Sequence, residues 1–119
     1  MSIRYIQHNN EEIMIADYRQ CHDSKQQLAL LEEVAESMKK KTEVRLLVDY
    51  TGIAAGVEYM SRLKTLGNTV FKDHMKCSAV LGIDGIKKIL FNGYNRATGA
   101  NNVKIFSNPN EAVKWLLQC

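Results

Sequence analysis

Two segments of the chain, V-R-L-L-V-D-Y at Val44 to Tyr50 and K-C-S-A-V-L-G-I at Lys76 to Ile83, are nearly continuous apolar runs. Successive side chains of a strand point to opposite faces, so a run without alternation belongs to a strand covered on both sides. The first of the two is the best candidate for a central strand. Segments with helical periodicity surround them: Leu28, Leu31, Val34 or Ala35 and Met38 before, Val57, Met60, Leu63, Leu66 and Val70 between, and Ile86, Ile89, Leu90 and Tyr94 after. Strands alternating with amphipathic helices call for right-handed crossovers and a sheet with helices packed against it.

The remaining segments complete the order. Ile3 and Tyr5 alternate with Arg4 and Ile6, the polar turn His8-Asn9-Asn10-Glu11 follows, and Ile13 to Tyr18 forms a second run, which together suggest an antiparallel hairpin. Asp23 or Ser24 can cap the first helix, expected from about Ser24 to Lys40. The spacing predicts one long second helix from Gly56 to about His74. A turn is expected over Arg96 to Asn102, then a short strand, Val103 to Phe106. Asn108, Pro109 and Glu111 mark the start of the closing helix, as cap, first helical residue and return arm of a capping box. Its buried face is Ala112, Val113, Leu116 and Leu117, with Trp115 at an edge. The expected fold class is α/β, in the order β-β-α-β-α-β-α-β-α, as a single domain over residues 1–119.

Composition limits the function classes. The 16 Lys+Arg against 13 Asp+Glu give +3, interspersed except at Lys39, Lys40 and Lys41. That run reads as a solvated helix end, where cations offset the carbonyl dipole, rather than a nucleic-acid patch, for no aromatic residues interleave with it. Residues 1–10 lack a signal peptide's basic-then-apolar order, and no stretch approaches the roughly 18 to 20 apolar residues that span a bilayer. A cytoplasmic location is therefore expected, and Cys21, Cys77 and Cys119, odd in number and far apart, read as three free thiols.

The order of elements, with L-L-V-D-Y-T-G at Leu46 to Gly52, A-V-L-G-I-D-G-I-K-K-I-L at Ala79 to Leu90 and F-S-N-P-N-E-A-V-K-W-L at Phe106 to Leu116, resembles the SpoIIAA-like STAS family. The resemblance covers nearly the whole chain. It implies a signalling module that binds a protein partner, switched in the better-known members by phosphorylation of a serine at the start of the helix after the central strand. Here the matching stretch is Ile53-Ala54-Ala55-Gly56, which has no hydroxyl, so that switch does not carry over; Thr51 is the nearest phosphorylatable residue. The related CRAL-TRIO group of lipid-carrying domains implies a hydrophobic ligand as the alternative.

In an open α/β sheet, ligands bind outside the carboxyl ends of the strands. That edge is expected to collect Asp49, Tyr50, Thr51 and Gly52 from one loop, Asp84 and Gly85 from another, and Ser107 and Asn108 from a third. Two readings are open: turn-forming residues that accept amide hydrogen bonds or supply positive φ, or a docking rim with Thr51 and Ser107 as polar contacts. The second helix carries Tyr59, Met60, Val70 and Phe71, more apolar surface than one stripe uses, which suits either self-association or a core wrapping the sheet edge. Cys21 beside His22 is not read as a catalytic pair, since adjacent residues of an extended segment point apart, and His8, His22 and His74 lack metal-site spacing. Arg45 and Arg62 are expected to reach the surface over packed stems. The expectation is a non-enzymatic binding module without cofactor, acting through a protein partner or as a homo-oligomer, with a small hydrophobic ligand as the alternative.

Overall fold

The computed structural model describes residues 3–83, 85–99 and 101–119. In chain order the elements are β1 (Ile3–His8), β2 (Glu11–Asp17), α1 (Ser24–Lys39), β3 (Val44–Asp49), α2 (Val57–Gly67), α3 (Val70–His74), β4 (Met75–Leu81), α4 (Gly85–Thr98), β5 (Val103–Phe106) and α5 (Pro109–Gln118). The five strands lie side by side in sequence order. β1 pairs antiparallel with β2 across the tight turn at Asn9, and β2, β3, β4 and β5 are parallel. The α/β fold class expected from the alternation is the one observed.

This strand order decides where the helices go. Every parallel step runs the same way across the sheet, so right-handed crossovers place α1 to α4 on one face. The chain then leaves the last strand, and α5 packs on the other face, against β3, β4 and β5. Alternate residues of each strand serve the two layers. Met14, Ala16, Leu46 and Val48 join Leu31, Val34, Met38, Tyr59, Leu66 and Phe71 beneath the crossover helices, whereas Ile13, Ile15, Leu47, Cys77, Ala79 and Leu81 meet Ala112 and Leu116 of α5.

The starts of α1 and α5 follow their sequence signals. Asp23 caps α1, its carboxylate accepting the Gln26 amide at 2.7 Å, and Asn108 accepts the Asn110 and Glu111 amides at 2.8 and 3.2 Å with Pro109 in the first turn of α5. The lysine run does end α1, where Lys39 pairs with Glu36 and Lys41 with Glu12.

Three expectations are corrected. The helix foreseen from Gly56 to His74 breaks into α2 and α3. Gly67 and Asn68 favour termination, and the Thr69 hydroxyl turns back to the Thr65 carbonyl at 2.9 Å, competing with continuation of the helix. The turn expected from Arg96 starts later, because α4 runs on to Thr98 before Gly99 adopts φ 69°. Cys77 and Cys119 are joined in a disulfide with their Cα atoms 6.6 Å apart, leaving Cys21 as the free, buried cysteine. The three-thiol reading missed this because α5 returns the chain terminus over β4, a proximity that a separation of 42 residues conceals. Among the described residues no helix is long and apolar enough to cross a membrane.

Candidate functional site

The carboxyl ends of the parallel strands meet at one edge, and β2 and β3 deliver Asp17 and Asp49 there in register. Two carboxylates on neighbouring strands repel unless a cation stands between them. Arg19 fills that place: its Nε and a terminal nitrogen lie 2.9 and 2.7 Å from the two Asp17 oxygens, and its Nε lies 3.6 Å from Asp49. Arg4 adds a longer contact to Asp17 at 3.6 Å. The hydrogen bonds from Arg19 hold the Asp17 carboxyl down to about 2, and Asp17 in turn raises the guanidinium. Asp49 accepts the Thr51 amide at 2.9 Å, closing the turn in which Gly52 has φ 76°.

Beneath this turn lies a rigid base. The Tyr18 and Tyr50 amides donate to the Asp49 and Leu81 carbonyls, both at 2.9 Å, so strand-like pairing continues past the strand ends. The rings of Tyr18, Tyr50 and Tyr59 cluster with centroids 5.0, 5.4 and 6.1 Å apart, and the Tyr50 and Tyr59 hydroxyls share a 2.6 Å hydrogen bond. Burial raises the Tyr18 and Tyr59 phenols well above the ordinary 10.0, so both stay neutral. Gly82 fits against the turn from the next strand; at φ 81°, a Cβ there would come within 2.3 Å of the Thr51 amide nitrogen.

The loop between this turn and α2 is pinned from α1. The amide of buried Gln27 donates to the Cys21 and Ala54 carbonyls at 3.2 and 3.0 Å, and its oxygen faces the Gly56 amide at 3.5 Å. Gly56 begins α2 without a side-chain cap, and Val57 directly after it is 87% exposed.

An apolar cavity of about 60 Å³ lies below, between the sheet residues Leu46, Val48, Val80 and Val103 and the helical residues Met60, Leu63, Phe71 and Phe91, with Tyr50 and Ile53 near its top. A polar groove of about 560 Å³ occupies the opposite edge, lined by Glu11, Glu12, Lys39 to Lys41, Arg45 and His74. Its charges are largely matched: Lys41 pairs with Glu12 and Arg45 with Glu11, while His74 Nδ1 lies 2.8 Å from the Lys41 carbonyl oxygen.

The structure gathers Asp49, Tyr50, Thr51 and Gly52 in one turn, with Ser107 two strands away on the same edge and Gly85 opening α4. Thr51, Gly52 and Ser107 are exposed. Asp84 lies outside the described residues. The helical set needs correction as a partner-facing surface: Tyr59 is 1% and Phe71 4% exposed, and half-buried Met60 lines the cavity. Their apolar excess is taken up inside, because the break after Gly67 turns α3 back over the core.

Cys21 is buried, which raises its thiol, and His22 beside it is exposed, its backbone amide bonded to Gln26. Arg62 does reach the surface and pairs with Glu32 at 2.7 Å. Arg45 does not: its side chain is 11% exposed and serves the end of α5. Gln27 and Arg19 were missed by sequence reading. A glutamine four positions before Leu31 in the apolar stripe was the available signal for the first; the second had none.

No family model matches the chain, and no curated protein matches it. Among solved structures it is similar to an uncharacterised protein of the DUF3478 family from Shewanella loihica PV-4, which has a SpoIIAA-like fold. That likeness has 15% identity and a TM-score of 0.68, and covers 96% of this chain and 91% of the other. The chain therefore has a SpoIIAA-like fold.

Proposed function

We propose that this SpoIIAA-like fold is a non-enzymatic binding module of STAS type, which docks a protein partner or a second copy of itself on the rim around residues 50–57. The observation that carries the reading is the exposure of Val57 at 87% on a loop held by Gln27, Gly82 and the tyrosine cluster. What supports the reading is the rigidity of the platform under this side chain, since little ordering entropy remains to be lost on docking. The acidic and basic groups nearby are engaged with one another: Arg19 holds Asp17 and Asp49, and Asp49 holds the turn. These contacts support a role for them in positioning the rim. Thr51 and Ser107 supply its polar contacts.

Native mass spectrometry of the protein purified from its own cells tests the reading, alongside sedimentation across a concentration series. A dimer or an added protein subunit is expected for the wild type, and Val57→Asp weakens that complex by about tenfold or more. A wild-type protein that is a bare monomer in both measurements would overturn it. Phosphorylation of Thr51 would place a dianion beside Asp49, opening the turn by repulsion; an intact mass without an added phosphate removes that mode of control.

The cavity counts against the alternative, a carrier of a lipid or other hydrophobic molecule: its 60 Å³ is well below the roughly 300 Å³ of ordinary ligand pockets. A native mass without a discrete small-molecule increment is the result expected.

A further inference from the structure

The two layers of this fold are unequally secured. Four helices share one face of the sheet, whereas α5 is the described helix that packs on the other. It has 10 residues, shorter than the roughly 12 to 15 at which an isolated helix becomes even marginally stable, so tertiary attachments must hold it. Ala112 and Leu116 anchor its middle. Its carboxyl end has two further attachments, the Arg45 guanidinium on the Leu116 carbonyl at 2.8 Å and the bond from Cys119 to Cys77 in β4.

We infer that the Cys77–Cys119 pair is a redox-operated latch on α5, closed by thiol–disulfide exchange with a low-molecular-weight disulfide. The two sulfurs differ in access. Cys77 is 1% exposed under α5, and Cys119 is half-buried. Exchange therefore begins at Cys119: its thiolate attacks one sulfur of the reagent RS–SR, the reagent's S–S bond breaks, and one RS⁻ leaves. The Cys77 thiolate then attacks the Cys119 sulfur of the mixed disulfide and expels the second RS⁻. The two protons lost by the protein thiols are taken up by the two leaving thiolates, so two protein thiols are oxidised and one RS–SR becomes two RSH. With the latch closed, the last turn of α5 is fixed over the layer of Cys77, Ala79 and Leu47; with it open, that turn keeps Arg45 and the packing of Trp115, Leu116 and Leu117, and exposes this apolar strip more often. Cys21, buried in the other layer, takes no part.

The test equilibrates the full-length protein across ratios of reduced to oxidised glutathione, traps thiols with an alkylating agent in denaturant and reads the intact mass. Two of the three cysteines should become protected together, with peptide mapping linking Cys77 to Cys119, while Cys21 alkylates throughout. Amide exchange at Val113 to Leu117 should slow by about tenfold or more on closure. In Cys119→Ser, which keeps the size of the side chain but cannot pair, exchange in α5 should no longer respond to the glutathione ratio. Three alkylated cysteines at every ratio, a persistent glutathione adduct on Cys119 without pairing, or closure that leaves α5 exchange unchanged would each overturn the inference.

Discussion

The guanidinium Nε of Arg45 donates to the carbonyl oxygen of Leu116 at 2.8 Å, so a side chain from the central strand closes the carboxyl end of the last helix. The end of a helix carries unpaired carbonyls and partial negative charge, and a cation placed there serves both needs. Glu11 from β2 balances the charge. Arg45→Met keeps the stem but leaves the carbonyl and Glu11 unmatched, and should lower stability by about 1.5–3 kcal/mol. The urea midpoint checks this, with Arg45→Lys recovering part of the loss.

Gly52 and Gly82 separate two reasons for glycine. Both have positive φ, but a Cβ on Gly52 meets nothing within 4 Å, whereas one on Gly82 runs into the Thr51 backbone. Gly52→Ala should therefore cost only the left-handed conformation, about 1–2 kcal/mol. Gly82→Ala adds a clash with main chain that cannot swing aside, and should cost more than about 3 kcal/mol. Thermal melts of the two variants side by side give the difference.

Much of this fold was legible because burial leaves a period in the sequence. The unbroken run at Val44 identified a strand covered on both faces, and Asn108 with Pro109 fixed the start of α5. The break between α2 and α3 was masked because Val70 and Phe71 continue the apolar stripe beyond Gly67. The carboxyl edge follows from strand direction, so Asp49 to Gly52 and Ser107 could be placed there without coordinates. What periodicity cannot say is which layer an apolar residue faces. Tyr59 and Phe71 therefore read equally as partner-facing surface or as core, and burial decides for core, while Cys119 read as distant from Cys77 when α5 brings it back.

Buried Gln27 holds the loop under the rim by donating to the Cys21 and Ala54 carbonyls. Gln27→Leu has similar volume and offers those carbonyls nothing. The loss should be about 1–3 kcal/mol, together with faster amide exchange over residues 53–56. Unchanged exchange there would mean that the loop is held by its own packing.

Asp17 sets the acid limit of the carboxyl edge. Its folded pKa, about 2, lies below the ordinary 3.8, so the folded state binds its proton less readily than the unfolded chain does. By linkage, the contribution is complete above about pH 4 and fades as pH falls towards 2. The Arg19 side chain is 49% exposed and screened by water, which limits the effect to about 1 kcal/mol. Asp17→Asn removes the titration. Urea unfolding at intervals from pH 2 to 6 should show the wild type losing that increment over this window, with the variant flatter by the same amount. Parallel curves would show that Arg19 gains as much from Asp49 alone.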